Sequence, residues 1–295
     1  MADDPQGKEE KIQASLARAR ARVKTAPKST ATTPIAVKPA GQYIVPQHEL
    51  WPEVARALPN EIVRSALFNA KNKKSKREHL KNAEIAVIGT GKMTYSGEEL
   101  RQDDQTLWLQ LIHLARSQPL GQVITFTPNS FCQAVGWNVS GKSYERIREC
   151  LTRLQATSLS IYSDRLKEGV SLSMVPKFRW FDEASGTKLK NYQVQVAPEL
   201  VELFADMQYT QTEWQQRLAL PVGLATWLHG YLASHKTPFA IKIDTIRKGA
   251  GMSTESMSSA QQTIENALEA LREVGFLESW KIQDGLVHFV RAPKP

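Results

Sequence analysis

Residues 136–143 read GWNVSGKS and fit the pattern G-x-x-x-x-G-K-[ST], in which backbone amides and a lysine cradle the phosphates of a nucleotide. That chemistry requires a buried strand leading into the loop and small residues within it, so that the amides can close around the anion. Here Trp137 and Val139 put a ring and a β-branched group inside the loop, and the preceding NSFCQAV has helical character, starting from Thr127 as a cap with Pro128 behind it. No apolar run ending in an acid supplies a magnesium ligand; LSIYSD comes nearest. The nucleotide reading is therefore set aside, and no catalysis and no cofactor are expected. The six histidines and two cysteines show no metal-ligand spacing, so no metal site is expected either.

The residues after the loop carry a different chemistry. In KSYERIRECLTRLQA the apolar positions Tyr144, Ile147, Leu151 and Leu154 share one helical face, and Lys142, Arg146, Arg148, Glu149, Thr152 and Arg153 lie on the opposite one. Short helix, glycine turn and longer basic helix make a helix-turn-helix, whose second helix enters the DNA major groove by its N-terminal end. Lys142, Ser143 and Arg146 hold that end; arginine can read guanine bidentately, and lysine or serine can hold phosphate. TSLSIYS, the turn DRLKEG and the strand VSLSMVPKFRW then supply a β-hairpin, which makes the unit a winged helix; Arg165 and Lys167 in the turn join the candidate DNA contacts.

The last third repeats this order. A helix over GLATWLHGYLASHKTP, a strand FAIKI, a short helix TIRKGA capped by Asp244, the turn GAGMSTES, a long helix SSAQQTIENALEALREVG and two strands around Asp284-Gly285 follow in sequence. Gly136 corresponds to Gly251 and Leu154 to Leu271, at offsets of 115 and 117. The second long helix has an acidic far half, so only Ser258, Ser259 and Gln262 at its start suit a DNA face, with Lys242, Arg247, Lys248 and Lys281 placed to hold backbone.

The rest of the chain must position these units. Its 295 residues suffice for about two domains. The net charge of +8 and isoelectric point near 9.4 invite phosphate backbones. No apolar run approaches the length of a membrane span, no secretory leader is visible, and two cysteines suit a cytoplasmic protein. The expected fold is α+β: a disordered basic tail and linker over 1–48, a winged-helix domain over 49–197, and a second, with its connecting helix, over 198–295. Within the first domain, helical spacing marks WPEVARALPNEIVRSALF, EIAVIGT and KMTYSG read as strands around Gly-Thr-Gly, and DDQTLWLQLIHLARSQ is an amphipathic helix capped by Asp103 or Asp104. NAKNKKSKREHLK is a basic run.

LPNEIVRSALFNA, IAVIG, GEELRQDD, LQATSLSIYS, EGVSLSMVPKF, APELVELF and QRLALP-x-GLATWLHGYLASH resemble the TrfA-type replication initiators of broad-host-range bacterial plasmids, from about Leu50 to the end of the chain. The resemblance implies tandem winged helices that bind direct repeats (iterons) in a plasmid origin and help melt an adjacent AT-rich region. It also implies a monomer–dimer equilibrium that limits copy number. The implied partners are double-stranded origin DNA, the single strands of the melted origin, and the host sliding clamp, replicative helicase, helicase loader and initiator. Gln47–Trp51, QHELW, is similar to the clamp-binding peptide of Q-L-x-L-F type: Gln47 and Leu50 match, Trp51 replaces phenylalanine, and His48 departs from it. The rival reading, a winged-helix transcriptional regulator, shares the DNA chemistry but would occupy a lone inverted repeat.

Overall fold

The computed structural model describes residues 52–72, 74–89, 91–116, 123–163, 168–182, 187–197, 199–200, 203–204, 209–237, 239–252 and 256–293. These lie within one compact unit, Ile44–Pro295, and the tail and clamp-like peptide fall outside the described residues. The chain opens with β1 (Ala55–Pro59), buried at every position, followed by a single helical turn, α1 (Asn60–Val63). A helix was expected across this stretch. The strand forms instead because its antiparallel partner, Tyr209–Glu213, lies about 150 residues later and completes its hydrogen bonds, while the helix over Gln102–Ala115 packs against it.

The two-residue strand β2 (Phe68–Asn69) lies parallel to β5 (Leu100–Arg101). Between them β3 (His79–Glu84) pairs with β4 (Lys92–Glu98). The first strand therefore comes one segment earlier than the apolar run IAVIG suggests. That run crosses to other neighbours: Val87 bridges Ser65, and Ile88 reaches Gly249 in the last third of the chain. The helix α2 (Gln102–Ala115) is buried over most of its length. Neither Asp103 nor Asp104 is its N-cap; Arg101 holds that position, and the Asp104 carboxylate accepts from the Arg101 amide at 2.9 Å.

β6 (Val123–Phe126) leads to α3 (Pro128–Ala134), capped by Thr127 Oγ1, which accepts from the Ser130 amide at 3.1 Å. Gly136, at φ +68°, ends that helix and Ser140 caps the next, α4 (Gly141–Gln155). A helix thus stands where a phosphate loop needs its strand. Four strands follow: β7 (Ser158–Ser163), β8 (Glu168–Leu172), β9 (Lys177–Asp182) and β10 (Thr187–Gln195). The expected continuous strand over 170–180 is broken at Met174 and Val175, whose side chains turn fully into the core. β7 and β8 join a sheet of order β3-β4-β7-β8, while β9 and β10 join β6 in the order β6-β10-β9. The hairpin directly after α4 is therefore an insertion, and the hairpin equivalent to the C-terminal one is β9–β10.

β11 (Tyr209–Glu213) and α5 (Trp214–Ala219) lead to α6 (Leu224–Ala233), β12 (Ile241–Lys242), α7 (Ile243–Gly249), α8 (Met257–Glu273), β13 (Leu277–Gln283) and β14 (Leu286–Arg291). Asp244 does not cap α7; Lys242 is the capping position and Asp244 sits in the first turn. The sheet order β12-β14-β13 reproduces β6-β10-β9, and Gly251, at φ +70°, matches Gly136. One hydrophobic core runs from Ala55 to Trp214 and a second from Leu220 to Phe289.

Candidate nucleic-acid interface

The apolar stripe of α4 packs as its spacing predicts, with Ile147, Cys150, Leu151 and Leu154 buried. Between its two end residues it leaves Lys142, Glu145, Glu149 and Thr152 exposed, at intervals of a single helical face. Ser143 is half-buried in the first turn, its amide donating to Ser140 Oγ at 3.2 Å.

The arginines of α4 fold back onto the protein. Arg146 stacks its guanidinium 3.9 Å from the Trp137 ring centroid and lies 3.6 Å from Asp103, with its side chain still 38% exposed. Arg148 donates to the Tyr192 hydroxyl at 3.2 Å and lies over Trp180 at 5.1 Å. Arg153, 11% exposed, is bound to the fully buried Asp104 at 2.9 Å and belongs to the interior, not to an outer DNA face. Arg165 and Lys167 lie outside the described residues. The basic face expected for α4 is therefore reduced to its N-terminal end. Farther along, Glu98, Glu145 and Glu149 join Arg148, Thr152, Arg153 and Trp180 around a shallow groove of about 320 Å³, where three carboxylates stand beside two guanidiniums already engaged by Tyr192 and Asp104.

Behind α4, Asp103, Asp104 and Cys150 bring potential ligand atoms within 4.8 Å of one another. Arginines already meet this charge: Arg77 pairs with Asp103 at 3.0 Å and with Asp104 at 2.7 Å, alongside Arg146 and Arg153. The guanidiniums hold Asp103 below the usual carboxylate range against its desolvation. Burial, with Asp103 beside it, pushes Asp104 up. Burial raises the Cys150 thiol well above its ordinary value. The cluster is a cross-brace between α2, α4 and residue 77.

In the C-terminal repeat, Ser258, Ser259, Gln261, Gln262 and Asn266 are exposed on α8, and Gln262 donates its amide to Asn266 at 3.3 Å. Lys242 is exposed at the start of α7. Arg247 and Lys248 both pair with Asp244, at 2.9 and 2.7 Å, and Lys281 donates to Gln283 at 3.1 Å. This surface carries amides and hydroxyls more than charge. The sequence pattern placed Glu149 and Thr152 on the outer face of α4 but passed over Glu145, Gln261 and Asn266, which the exposed helical intervals mark. It also missed Lys177 and Arg179 on β9, hidden by the misplaced hairpin. No described helix is long and apolar enough to cross a membrane.

These features define a class first: a two-lobed chain in which one helix–strand–helix–helix–hairpin unit occurs twice, each presenting the start of its long helix. Domains 2 and 3 of RctB share the fold, with a TM-score of 0.54 at 13% identity over 76% of this chain and 95% of that one. A family model described as TrfA protein matches residues 37–291, and the chain belongs to the TrfA family. It is 38% identical over 243 residues to the plasmid replication initiator protein TrfA of Escherichia coli, covering 82% of this chain and 63% of that protein, so it spans somewhat under two thirds of that relative's length. A putative replication protein of Wigglesworthia glossinidia brevipalpis is 28% identical over 92 residues, 28% of this chain and 34% of the other.

Proposed function

We propose that the protein is a plasmid replication initiator that binds direct repeats in an origin through two winged helices, without catalysis of its own. Family membership supports the biological role. The observation that carries the mechanism is the repeated unit, which each time presents a long helix with an exposed polar start ahead of its hairpin. α4 would enter one major groove with Lys142 on phosphate and Arg146, pre-oriented by Trp137, toward a base. Glu145, one residue away on the exposed face, has the acceptor chemistry for cytosine N4. α8 would enter a second groove with Ser258, Ser259 and Gln262, glutamine being suited to adenine.

In this reading, binding free energy strains the duplex, and flexible pyrimidine–purine steps nearby lower the cost of opening it. The melted strands, the host helicase and its loader, the host initiator, the sliding clamp and the monomer–dimer equilibrium belong to the same proposal. Clamp contact is assigned to Gln47, Leu50 and Trp51: Leu50→Ala with Trp51→Ala should abolish clamp capture in a pull-down and spare DNA binding. The decisive experiment supplies the protein in trans to a plasmid carrying its origin. Maintenance of that plasmid, with a footprint over similarly oriented repeats, is the expected result. A footprint on a lone inverted repeat at a promoter would instead support a regulator. Arg146→Ala should weaken binding by ~1–3 kcal/mol and relax preference at one base pair, measured by competition with substituted duplexes.

A further inference from the structure

The basic run after β2 takes no part in the reading above, yet a buried network holds it. Arg101, only 3% exposed, donates from its guanidinium to the carbonyl oxygens of Asn72 at 2.8 Å, Ser75 at 3.0 Å and Lys76 at 3.1 Å, and pairs with Glu99 at 3.3 Å. The loop also closes on itself. The Ser75 amide and hydroxyl both donate to the Asn72 carbonyl, at 3.1 and 2.7 Å, and the Lys74 amide donates to Asn72 Oδ1 at 2.9 Å. At its far end Arg77 binds Asp103 and Asp104, the same carboxylates that receive Arg146 and Arg153 from α4. The loop is thus braced against the flank of α4.

What this brace projects is positive charge. Lys74 and Lys76 are both exposed, and neither pairs with a carboxylate among the described residues. A surface loop can leave its carbonyls to water at little cost, whereas burying a guanidinium is expensive unless it is fully hydrogen-bonded. A solvated tail would not need Arg101. A rigid ledge of lysines at a set distance from α4 loses little conformational entropy when it meets an anion. In the neighbouring groove along α4 the two arginines, Arg148 and Arg153, are engaged by Tyr192 and Asp104 and sit beside Glu98, Glu145 and Glu149, so the cationic ledge is the part of this flank suited to phosphate.

We propose that residues 74–78 form a contact site for the phosphodiester backbone of duplex DNA, gripping the strand beside the groove that α4 reads. The inference rests on the DNA-binding reading of α4. Its test uses the full chain and random-sequence duplex DNA, with affinity followed by fluorescence anisotropy across a chloride titration. Each neutralised phosphate contributes about 0.9 to the slope of log affinity against log salt. Lys74→Ala and Lys76→Ala should each lower the slope by about 0.9, and the double variant by about twice that, with preference among sequences unchanged. Lys236→Ala, an exposed lysine outside the ledge, is the charge-matched control and should leave the slope alone. A folded double variant with the wild-type slope would overturn the ledge, as would an equal loss from Lys236→Ala. Wild-type protein that binds no duplex at all would remove the DNA reading of α4 as well.

Discussion

Asp104 is completely buried between Arg77 and Arg153. A carboxylate there is tolerable only while its charge is met, because removal of a partner leaves desolvation uncompensated. Arg153→Ala should therefore lower stability by about 3 kcal/mol, the low end of the range for broken buried pairs since Arg77 remains. Urea denaturation measures this, and DNA affinity per folded molecule should stay at the wild-type value. His229 provides a second test. It is fully buried, its Nδ1 is unpartnered, and desolvation with Arg217 nearby depresses its pKa to about 3 from an ordinary value of 6.5. The unfolded chain takes up that proton and the folded one does not. The resulting stability is complete above about pH 6.5 and is lost as the pH falls toward 3. His229→Gln should flatten the acid limb of the stability–pH curve while lowering stability at pH 7, where its edge contact with Phe276, at 4.6 Å between centroids, is lost.

At the scale of elements, the two turns before the long helices make a controlled pair. Gly136 and Gly251 share a left-handed backbone near φ +70°, which side chains rarely adopt. A Cβ on Gly136 would meet only Leu218 at 3.6 Å, an ordinary contact, so Gly136→Ala should cost about 1 kcal/mol of backbone strain. A Cβ on Gly251 would also stand 2.8 Å from the Asn69 Cβ, so Gly251→Ala should cost more than Gly136→Ala in the same calorimetric experiment. Equal losses would mean that the second turn is not packed against β2.

At the scale of the whole molecule, the two cores are joined closely. The Ala70 amide donates to the Ala250 carbonyl at 2.8 Å, and the Trp227 indole to the Ser65 carbonyl at 3.1 Å. Arg217 on α5 reaches Gln105 on α2 at 2.8 Å and the Thr226 carbonyl on α6 at 3.0 Å. Gly249 faces Ile88 and Trp227 so closely that any Cβ there would displace Ile88. This seam fixes the relative placement of α4 and α8, so under the proposed function any DNA segments contacted by both would keep one spacing. Gly249→Val should part the cores and split one thermal unfolding transition into two in differential scanning calorimetry.

Local structure was legible in the residues themselves. The cap Thr127, the amphipathic helices α4, α6 and α8, and the Asp284-Gly285 turn, with both φ values positive, depend on neighbours within a few positions. So did the correspondence of Gly136 with Gly251. Only the tertiary structure decided which arginines turn inward: Arg153 and Asp104 meet across 49 positions, and an arginine on a helix flank can swing its guanidinium either to solvent or to such a partner. It decided too that β1 pairs with β11 and that β7–β8 is an insertion, because a strand's periodicity marks its faces but does not name the distant edge that completes its hydrogen bonds.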